Sequence, residues 1–368
     1  MRNGTGQMPG PEGRSARYTR STGRLRSVLK IAAAVVALAL VVLAIGLVVL
    51  SPRLTVTDRE RLRVAREVPY QAVNLIDHDA EKPRHYYLDM RTIVEKVRAA
   101  EYGTPALDTD GVPLVDYTIF GGTESGVKNP ITTAQYALGL YEEYLVDGEV
   151  SAREAFLTQA DWLVSIQSDD GGFYFEFDLP SRALKAPWLS AMAQGEGMSV
   201  LVRAYYETDD ERYLEAAELA LRPLRLPIAD GGLMHTDETG VWLEEYPTDP
   251  PAHVLNGAIF TVFGLRDLVR ATGDEEAAVL FEDVVDTLAR NLDRYEADGW
   301  VKYQLSDDSW ATKTYYGLHI EQLRALAALT GDEGFEERAD AWAYPFEHER
   351  RWLAGRTVAR FAERITGR

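Results

Sequence analysis

A repeating unit of two amphipathic segments followed by a glycine turn limits the fold of this sequence more than any other feature. The turns lie 60 and 67 residues apart and read DDGGF at 169–173, ADGGL at 229–233 and ADGW at 297–300. A repeat of this length is typical of stacked helical hairpins. It predicts a mainly α fold, an incomplete (α/α) toroid or barrel of helical hairpins. A helical bundle with coincidental Asp-Gly turns is the alternative.

Apolar residues at helical spacing define the members of these pairs. The predicted helices span 130–147, 151–168, 189–207, 210–223, 252–271, 275–293, 315–329 and 333–344. In a stack of hairpins, the connecting loops gather at one rim. We therefore expect the long loops to line one cleft, and these loops are 169–188, 229–251 and 297–314.

The N-terminal part of the chain has the pattern of a membrane anchor. Ile31 to Leu50 is an uninterrupted run of 20 uncharged residues, which suits the hydrocarbon core of a bilayer. The first thirty residues hold seven basic residues and one acid, so the positive-inside rule places this tail in the cytoplasm. A secretory signal peptide is the rival interpretation, but no A-x-A-like cleavage site follows the run.

The predicted organisation follows from these patterns. A single-pass membrane protein is expected, with a cytoplasmic N-terminus and the helical domain outside the cytoplasm. Short β-leaning pieces, HYYLDM and VPLVDYTIF, predict a small strand region before the helices. The expected parts are a basic tail (1–30), a transmembrane signal anchor (31–50), a stalk (51–84), a small β region (85–128), the helical domain (129–350) and a basic C-terminal tail (351–368).

Charge and composition exclude several classes of site and partner. The chain carries a net charge of −19, and −25 remains beyond the basic first thirty residues, which argues against a nucleic acid partner. The absence of cysteine excludes disulfides, zinc-thiolate sites and thiol nucleophiles. Acidic pairs at 169–170 and 307–308 lack EF-hand spacing, so no metal and no cofactor is expected, with a structural calcium ion left open.

The loop Trp242 to Gly257, WLEEYPTDPPAHVLNG, is the strongest candidate for a site. Its three prolines keep the backbone extended until the next helix begins, and polar loops held in this way often carry function. Acid–base candidates in the second and third loops and in the helices beside them are Glu244, Glu245, Tyr246, Tyr303, Tyr315 and His319, with Gln194, Arg203 and Asn256 as polar groups near the cleft.

Each candidate also has a structural interpretation. Any one of the 19 tyrosines can be a packing residue with a wet hydroxyl, and Glu244 with Glu245 can be a solvated pair. His319 can be a satisfied helix histidine, and Asn256 can cap the helix that follows. The residues by themselves indicate a tyrosine-rich, acid-lined cleft that suits carbohydrate chemistry.

Four ordered blocks resemble the C-terminal domain of D-glucuronyl C5-epimerases. They are NPITTAQYALG at 129–139, APWLSAMAQGEGMSVLVRAY at 186–205, EEYPTDPPAHVLNGAIFTVFGLRDL at 244–268 and TYYGLHIEQLRAL at 314–326. The resemblance implies an isomerase that converts glucuronate to iduronate within heparan-type or heparosan-like chains. It also implies an (α/α)-barrel-like domain preceded by β domains, a uronate-containing glycan as substrate, a type II membrane topology, and allows a homodimer.

The resemblance also implies roles for particular residues. Family catalysis is attributed to tyrosines at positions matching Tyr246, Tyr303 and Tyr315, with Glu245 as the acidic neighbour, while Gln194, Arg203, Asn256 and His319 match further motif positions. Epimerisation needs acid–base groups on both faces of C5, for which Tyr246 with Tyr303 or Tyr315 is the favoured pair and Glu245 the alternative base. Because a free tyrosine has a pKa of about 10, at least one of the hydroxyls is expected to have a depressed pKa. Ser306 stands where animal members carry an arginine, so the resemblance does not carry over a cation for N-sulfate.

Three other functions remain open from the sequence. A polysaccharide lyase shares C5 proton abstraction and then expels the 4-linked sugar. A glycoside hydrolase would need two carboxylates across the cleft, which Glu244 or Glu245 could form with Asp169 or Asp170. A non-catalytic envelope protein could use the same aromatic residues to bind glycans by stacking.

Overall fold

A computed structural model describes residues 84–347 apart from 105, 298–299 and 308. These residues are mainly helical, with two small antiparallel sheets of two strands each. The helices are α1 Arg91–Arg98, α2 Pro130–Asp147, α3 Val150–Ile166, α4 Ala191–Thr208, α5 Glu211–Leu219, α6 Arg222–Arg225, α7 Leu255–Thr272, α8 Glu275–Tyr295, α9 Lys313–Thr330 and α10 Glu333–Glu347. The strands are β1 Met234–Asp237, β2 Gly240–Leu243, β3 Glu296–Ala297 and β4 Trp300–Val301.

The helices form the predicted hairpins. Consecutive helices pack as pairs, α2 with α3, α4 with α5, α7 with α8 and α9 with α10. The first members of the pairs also contact one another in chain order, α2 with α4, α4 with α7 and α7 with α9. This stacking buries the first helix of each pair more completely than the second, so several polar side chains of α4, α7 and α9 are buried inside the domain.

Glycines allow α4 and α7 to approach at backbone distance. A Cβ atom on Gly195 would lie 2.5 Å from the Cα atom of Thr261, and one on Gly264 would lie 2.1 Å from the carbonyl oxygen of Gly195. Side-chain atoms cannot be accommodated at such distances, so both positions require glycine. This contact fixes the spacing of the two helices whose N-terminal ends carry the candidate loops.

Local signals set the helix ends close to their predicted positions. The Asn129 side chain accepts a hydrogen bond from the amide of Thr132, and Pro130 occupies the first turn, as at a favourable N-terminus. Gly148 ends the helix in the left-handed conformation at φ 73°. Asp274 caps α8 through the amide of Ala277, and Thr312 caps α9 through the amide of Tyr315.

The structure differs from the prediction of a β region at 85–128. Among its described residues there is helix α1, a 3₁₀ turn at Tyr117–Phe120 and isolated bridges such as Val115 with Val127, and no strand. The aromatic residues of HYYLDM serve another purpose, since Tyr86 and Tyr87 both pack on Phe263 of α7. The strands lie instead in the second and third loops, where β1 pairs with β2 and β3 pairs with β4.

The predicted anchor at 31–50 lies outside the described residues, as do both basic tails and the stalk up to residue 83. A search of the described helices found none with the length and apolarity that crossing a bilayer requires.

Candidate active site

The β1–β2 hairpin delivers two adjacent glutamates to the start of α7. β2 ends at Leu243, and Glu244 follows at once. The amide of Glu244 donates to the carbonyl of Leu233 at 2.9 Å, and its carbonyl accepts from the amide of Ala191 at 3.0 Å. The backbone is therefore bound to the hairpin on one side and to the first residue of α4 on the other.

Glu245 is a buried carboxyl in a space that a glycine provides. Its residue is 4% exposed, and a Cβ atom on Gly257 would lie 2.4 Å from its Oε2 atom. Burial raises the pKa of Glu245 to about 7, although hydrogen bonding with Tyr246, the charge of Arg182 and the Tyr303 hydroxyl act in the opposite direction. A carboxyl with this pKa exchanges its proton readily at neutral pH.

Tyrosines from two loops and a helix surround this carboxyl. The Tyr303 hydroxyl donates to Oε1 of Glu245 at 3.4 Å, and the Tyr315 ring meets the Tyr303 ring edge-on at 4.8 Å between centroids. The amide of Leu255 donates to the carbonyl of Tyr303 at 3.2 Å, which ties the third loop to the start of α7. Tyr246, Tyr303 and Tyr315 are half-buried, so the cluster has both an enclosed and an open side.

The ionisation of these tyrosines differs from the sequence-based expectation. Burial raises the pKa of Tyr246 and Tyr303 well above the ordinary value, and the negative charge of Glu245 raises both further. The pKa of Tyr315 is raised by the same two causes. The prediction that one of these hydroxyls has a depressed pKa is therefore wrong for all three tyrosines. The charge of Arg182 lowers each pKa, but burial raises it by more. They are neutral acids, and Glu245 is the group poised to ionise.

Arg182 brings a cation to the cluster from the first loop. Its guanidinium carbon lies 4.6 Å from the ring centroid of Tyr246 and 5.6 Å from that of Tyr303. Its Nη1 donates to Oε1 of Gln304 at 2.5 Å, and Gln304 in turn donates to Ser306 and Asp307. Residues of loops 169–188, 229–251 and 297–314 therefore meet, as the repeat predicted.

His319 and Asn256 lie on the fully buried faces of α9 and α7. Both ring nitrogens of His319 and Oδ1 of Asn256 lack hydrogen-bond partners in the part of the chain that the structure describes. Burial lowers the pKa of His319 to about 3, so its imidazole is neutral. The structural interpretation of His319 as a helix residue with its hydrogen bonds satisfied is therefore wrong. Asn256 is the second residue of α7, and Val254 occupies the cap position instead.

Gln194 and Arg203 are structural, which corrects their predicted contact with substrate. The Gln194 side chain accepts from the amide of Phe173 and donates to the carbonyls of Gly171 and Ala220. Arg203 is 0% exposed and pairs with Asp267 at 2.6 Å. Its guanidinium also donates to the carbonyls of Arg84, His85 and Ser199.

Sequence reasoning did not single out Tyr117 or Glu196, and it considered Arg182 only as an arginine that could lie in the cleft. Arg182 and Tyr117 lie in short 3₁₀ turns that carry no recognisable motif. Burial raises the pKa of Tyr117, and the charge of Glu245 raises it further. Glu196 on α4 is fully buried and accepts from Gln135 at 3.0 Å. Burial and then the charge of Glu245 keep its pKa well above the ordinary value. The sequence offered one signal for Glu196, which is an acidic residue within an otherwise apolar stretch of helix.

Residues 167–344 match the family profile described as the D-glucuronyl C5-epimerase C-terminus. This segment contains Arg182, Glu245 and the tyrosines Tyr246, Tyr303 and Tyr315. The segment is similar in sequence to the C-terminal domain of D-glucuronyl C5-epimerases. The sequence-based resemblance to that family is confirmed.

Two relatives match the chain over part of their length. A D-glucuronyl C5-epimerase of Caenorhabditis elegans is 34% identical over 233 residues, which cover 56% of this chain and 38% of that protein. An uncharacterized protein of Methanocaldococcus jannaschii is 30% identical over 172 residues, covering 46% of this chain and 56% of that one. The chain therefore spans less than two thirds of the length of either relative.

Among solved structures, the cellobiose 2-epimerase of Bacillus thermoamylovorans is similar with a TM-score of 0.48 and 11% identity, over 76% of this chain and 81% of that one. An α-1,6-mannanase of Salegentibacter has a TM-score of 0.47 and 14% identity, over 70% of each chain.

Proposed function

We propose that this protein is a uronate C5-epimerase that acts on a glycan, with the glucuronate-to-iduronate type of reaction. The observation that carries the proposal is the buried Glu245 carboxyl, with a pKa of about 7, in hydrogen-bonding contact with two tyrosines and facing an arginine. C5 of a uronate bears a hydrogen next to a carboxylate, and its inversion needs proton transfer on both faces of the ring. One carboxylate shared by two tyrosines supplies both transfers.

The proposed cycle starts at one of the two tyrosines. The Tyr303 oxygen takes the C5 proton while its own hydroxyl proton passes to the ionised Glu245. The electron pair of the C–H bond moves into the C5–C6 bond and leaves an enolate of the carboxylate. Tyr246 then gives its hydroxyl proton to the opposite face of C5 and recovers a proton from Glu245. Both tyrosines and Glu245 end as they began, so no external base is consumed.

Arg182 is proposed to bind the uronate carboxylate and to stabilise the enolate. The negative charge that develops during proton removal lies on the carboxylate oxygens, where a fixed cation lowers its energy. Arg182 is held by Gln304 beside both tyrosine rings, so the charge needs no rearrangement. It comes from a different loop than the arginine that Ser306 replaces. One cation suits one carboxylate, which favours an unsulfated uronate polymer as substrate.

The geometry disfavours the hydrolase alternative for Glu244. Its Oε2 accepts from the amide of His253 at 2.8 Å and its Oε1 contacts Nδ1 of His253 at 2.5 Å. The residue is 0% exposed, so it cannot protonate a glycosidic oxygen in the cleft. A lyase would use the same first step as the epimerase and differs only in the fate of the intermediate.

The deciding experiment is incubation of the full-length protein with unsulfated glucuronate polymers in deuterium oxide. We expect deuterium at C5 and the appearance of iduronate signals by NMR. Absorbance from a C4–C5 double bond would instead identify a lyase, and new reducing ends would identify a hydrolase. Binding of the polymer with none of these changes would leave a glycan-binding protein and overturn the proposal.

The rate of C5 exchange should rise with pH through about 7, because Glu245 must lose its proton before it can accept one from Tyr303. Arg182 lowers the pKa of Glu245, so the residual activity of Arg182→Gln should have its acidic limb at higher pH. The control Arg222→Gln, on an exposed residue, should keep the wild-type profile. A pH-independent rate between pH 5 and 9 would contradict the role of Glu245.

Gly257→Ala should lower the exchange rate by about 10-fold to 100-fold, since misplacing a catalytic group by about 1 Å has effects of this size. The added methyl group would overlap Oε2 of Glu245. The control Gly334→Ala places a methyl near only the flexible Asp332 side chain and should leave the rate unchanged. Exchange kinetics by NMR on both folded variants measure the effect. A wild-type rate in Gly257→Ala would show that the Glu245 position is not critical.

A further inference from the structure

A second polar cluster lies between the β1–β2 hairpin and the segment that precedes α7. His235 and Asp237 are two residues apart on β1, so their side chains leave the same face of the strand. His253 comes two residues before α7. One ligand atom of each residue lies within 4.8 Å of those of the other two. The set comprises two imidazoles and one carboxylate, none of which takes part in the proposed acid–base chemistry.

His253 is oriented by groups that leave one ring nitrogen for a ligand. Oε1 of Glu244 lies 2.5 Å from Nδ1, and the Trp242 ring stacks on the imidazole at 4.2 Å between centroids. The Tyr295 hydroxyl donates to the His253 carbonyl at 2.7 Å. With Nδ1–H assigned to the carboxylate, the neutral ring has its lone pair on Nε2. Metal-binding imidazoles usually donate their other ring N–H to a carboxylate in this way, which orients the ring.

Asp237 is oriented in the same way. Its Oδ1 accepts from the amide of Thr239 at 2.7 Å and from the Thr239 hydroxyl at 2.6 Å. The hydroxyl itself accepts from the Trp242 indole at 2.8 Å. The other oxygen, Oδ2, is 3.6 Å from Nε2 of His235. Oδ2 therefore faces the imidazole of His235, while the Thr239 amide and hydroxyl fix the carboxylate through Oδ1.

We propose that His235, Asp237 and His253 bind one divalent transition-metal ion of the zinc type. Zinc accepts imidazole nitrogen and carboxylate oxygen at about 2.0–2.2 Å, so ligand atoms in a tetrahedron stand about 3.3 Å apart. The separation of 3.6 Å between His235 and Asp237 is close to this value. Calcium and magnesium prefer six or more oxygen ligands, which this set does not supply. A water molecule would complete the coordination.

The ion would join two parts of the chain that hold the proposed active site. His235 and Asp237 belong to the hairpin that leads into Glu245, and His253 belongs to the segment that leads into Gly257. Glu244, the neighbour of Glu245, would orient the metal ligand His253 through its contact with Nδ1. The site would therefore stabilise the loop that carries the acid–base residues without contacting the substrate. The side chains of His235 and Asp237 are 30% and 27% exposed, which allows an ion to enter.

The test is calorimetric titration of zinc chloride into untagged, metal-free, full-length protein in detergent. We expect one equivalent of zinc to bind at this site and to raise the melting temperature. His235→Ala and Asp237→Asn should each weaken the binding by at least about 10-fold, the scale known for disturbed zinc sites. Both side chains are partly exposed, so these variants keep the test valid even if His253→Asn fails to fold.

A matched control and a second metal complete the design. His85→Ala removes an imidazole that pairs with Glu142 elsewhere in the fold and should leave zinc affinity unchanged. Calcium chloride should give no heat above dilution. The proposal is overturned if zinc does not bind, if His235→Ala binds it as tightly as the wild type, or if calcium competes equally. None of these outcomes depends on epimerase activity.

Discussion

Replacing Glu245 with glutamine should lower the rate of C5 hydrogen exchange by about 10²–10⁴-fold, the usual contribution of a general acid–base group. The substitution keeps the size of the side chain but removes the carboxylate that both tyrosines need in order to pass on a proton. Tyr303→Phe should have a similar effect, because the phenyl ring retains the packing on Tyr315 and loses only the hydroxyl. Deuterium incorporation by NMR measures both rates.

The matched control is Glu176→Gln, which neutralises an exposed carboxylate in the first loop. It should exchange C5 hydrogen at the wild-type rate. Undiminished exchange in Glu245→Gln, with a melting temperature equal to that of the wild type, would remove Glu245 from the mechanism. Loss in Glu245→Gln with full retention in Tyr246→Phe and Tyr303→Phe would show that the carboxylate acts on C5 directly.

Arg203→Met should lower the free energy of unfolding by about 3–5 kcal/mol, the range measured when one partner of a buried ion pair is removed. Methionine would leave Asp267 with the Tyr87 hydroxyl as its partner at 2.9 Å. It would also remove the donors to three backbone carbonyls. Denaturant unfolding followed by circular dichroism measures the change.

An exposed ion pair provides the comparison. Arg98 pairs with Glu143, and the arginine side chain is 54% exposed, so Arg98→Met should change the free energy of unfolding by about 1 kcal/mol or less. Equal effects of the two substitutions would show that burial does not govern the Arg203 pair. A small effect of Arg203→Met would also contradict its assignment as a structural residue.

The helical hairpins could be predicted because their signals are local. Helix α2 has its predicted bounds of 130 and 147, since Asn129 with Pro130 begins it and Gly148 ends it. The meeting of the long loops at one site could also be predicted, because stacked hairpins have their connecting loops at the same rim. The strand prediction at 85–128 was wrong because Tyr86 and Tyr87 are buried against Phe263 of α7, which is more than 170 residues distant in the chain.

The chemistry of the cluster could be predicted only in part. The motif around Glu245 and Tyr246 was visible, but the pKa of Glu245 depends on burial beside Gly257, which exists only in the folded chain. Arg182 had no motif, since it faces Tyr246 only after two loops fold together. Gln194 and Arg203 matched motif positions, yet in the structure their side chains make hydrogen bonds with backbone groups inside the domain.

The anchoring of Arg84 and His85 by Arg203 has a practical consequence for truncated versions of this protein. Their carbonyl oxygens are hydrogen-bonded to a guanidinium in the interior, although Arg84 itself is exposed. The predicted stalk therefore cannot be cut at its predicted end without disturbing the core. A soluble fragment should start several residues before Arg84, and one that starts at Asp89 should express poorly or unfold at a lower temperature.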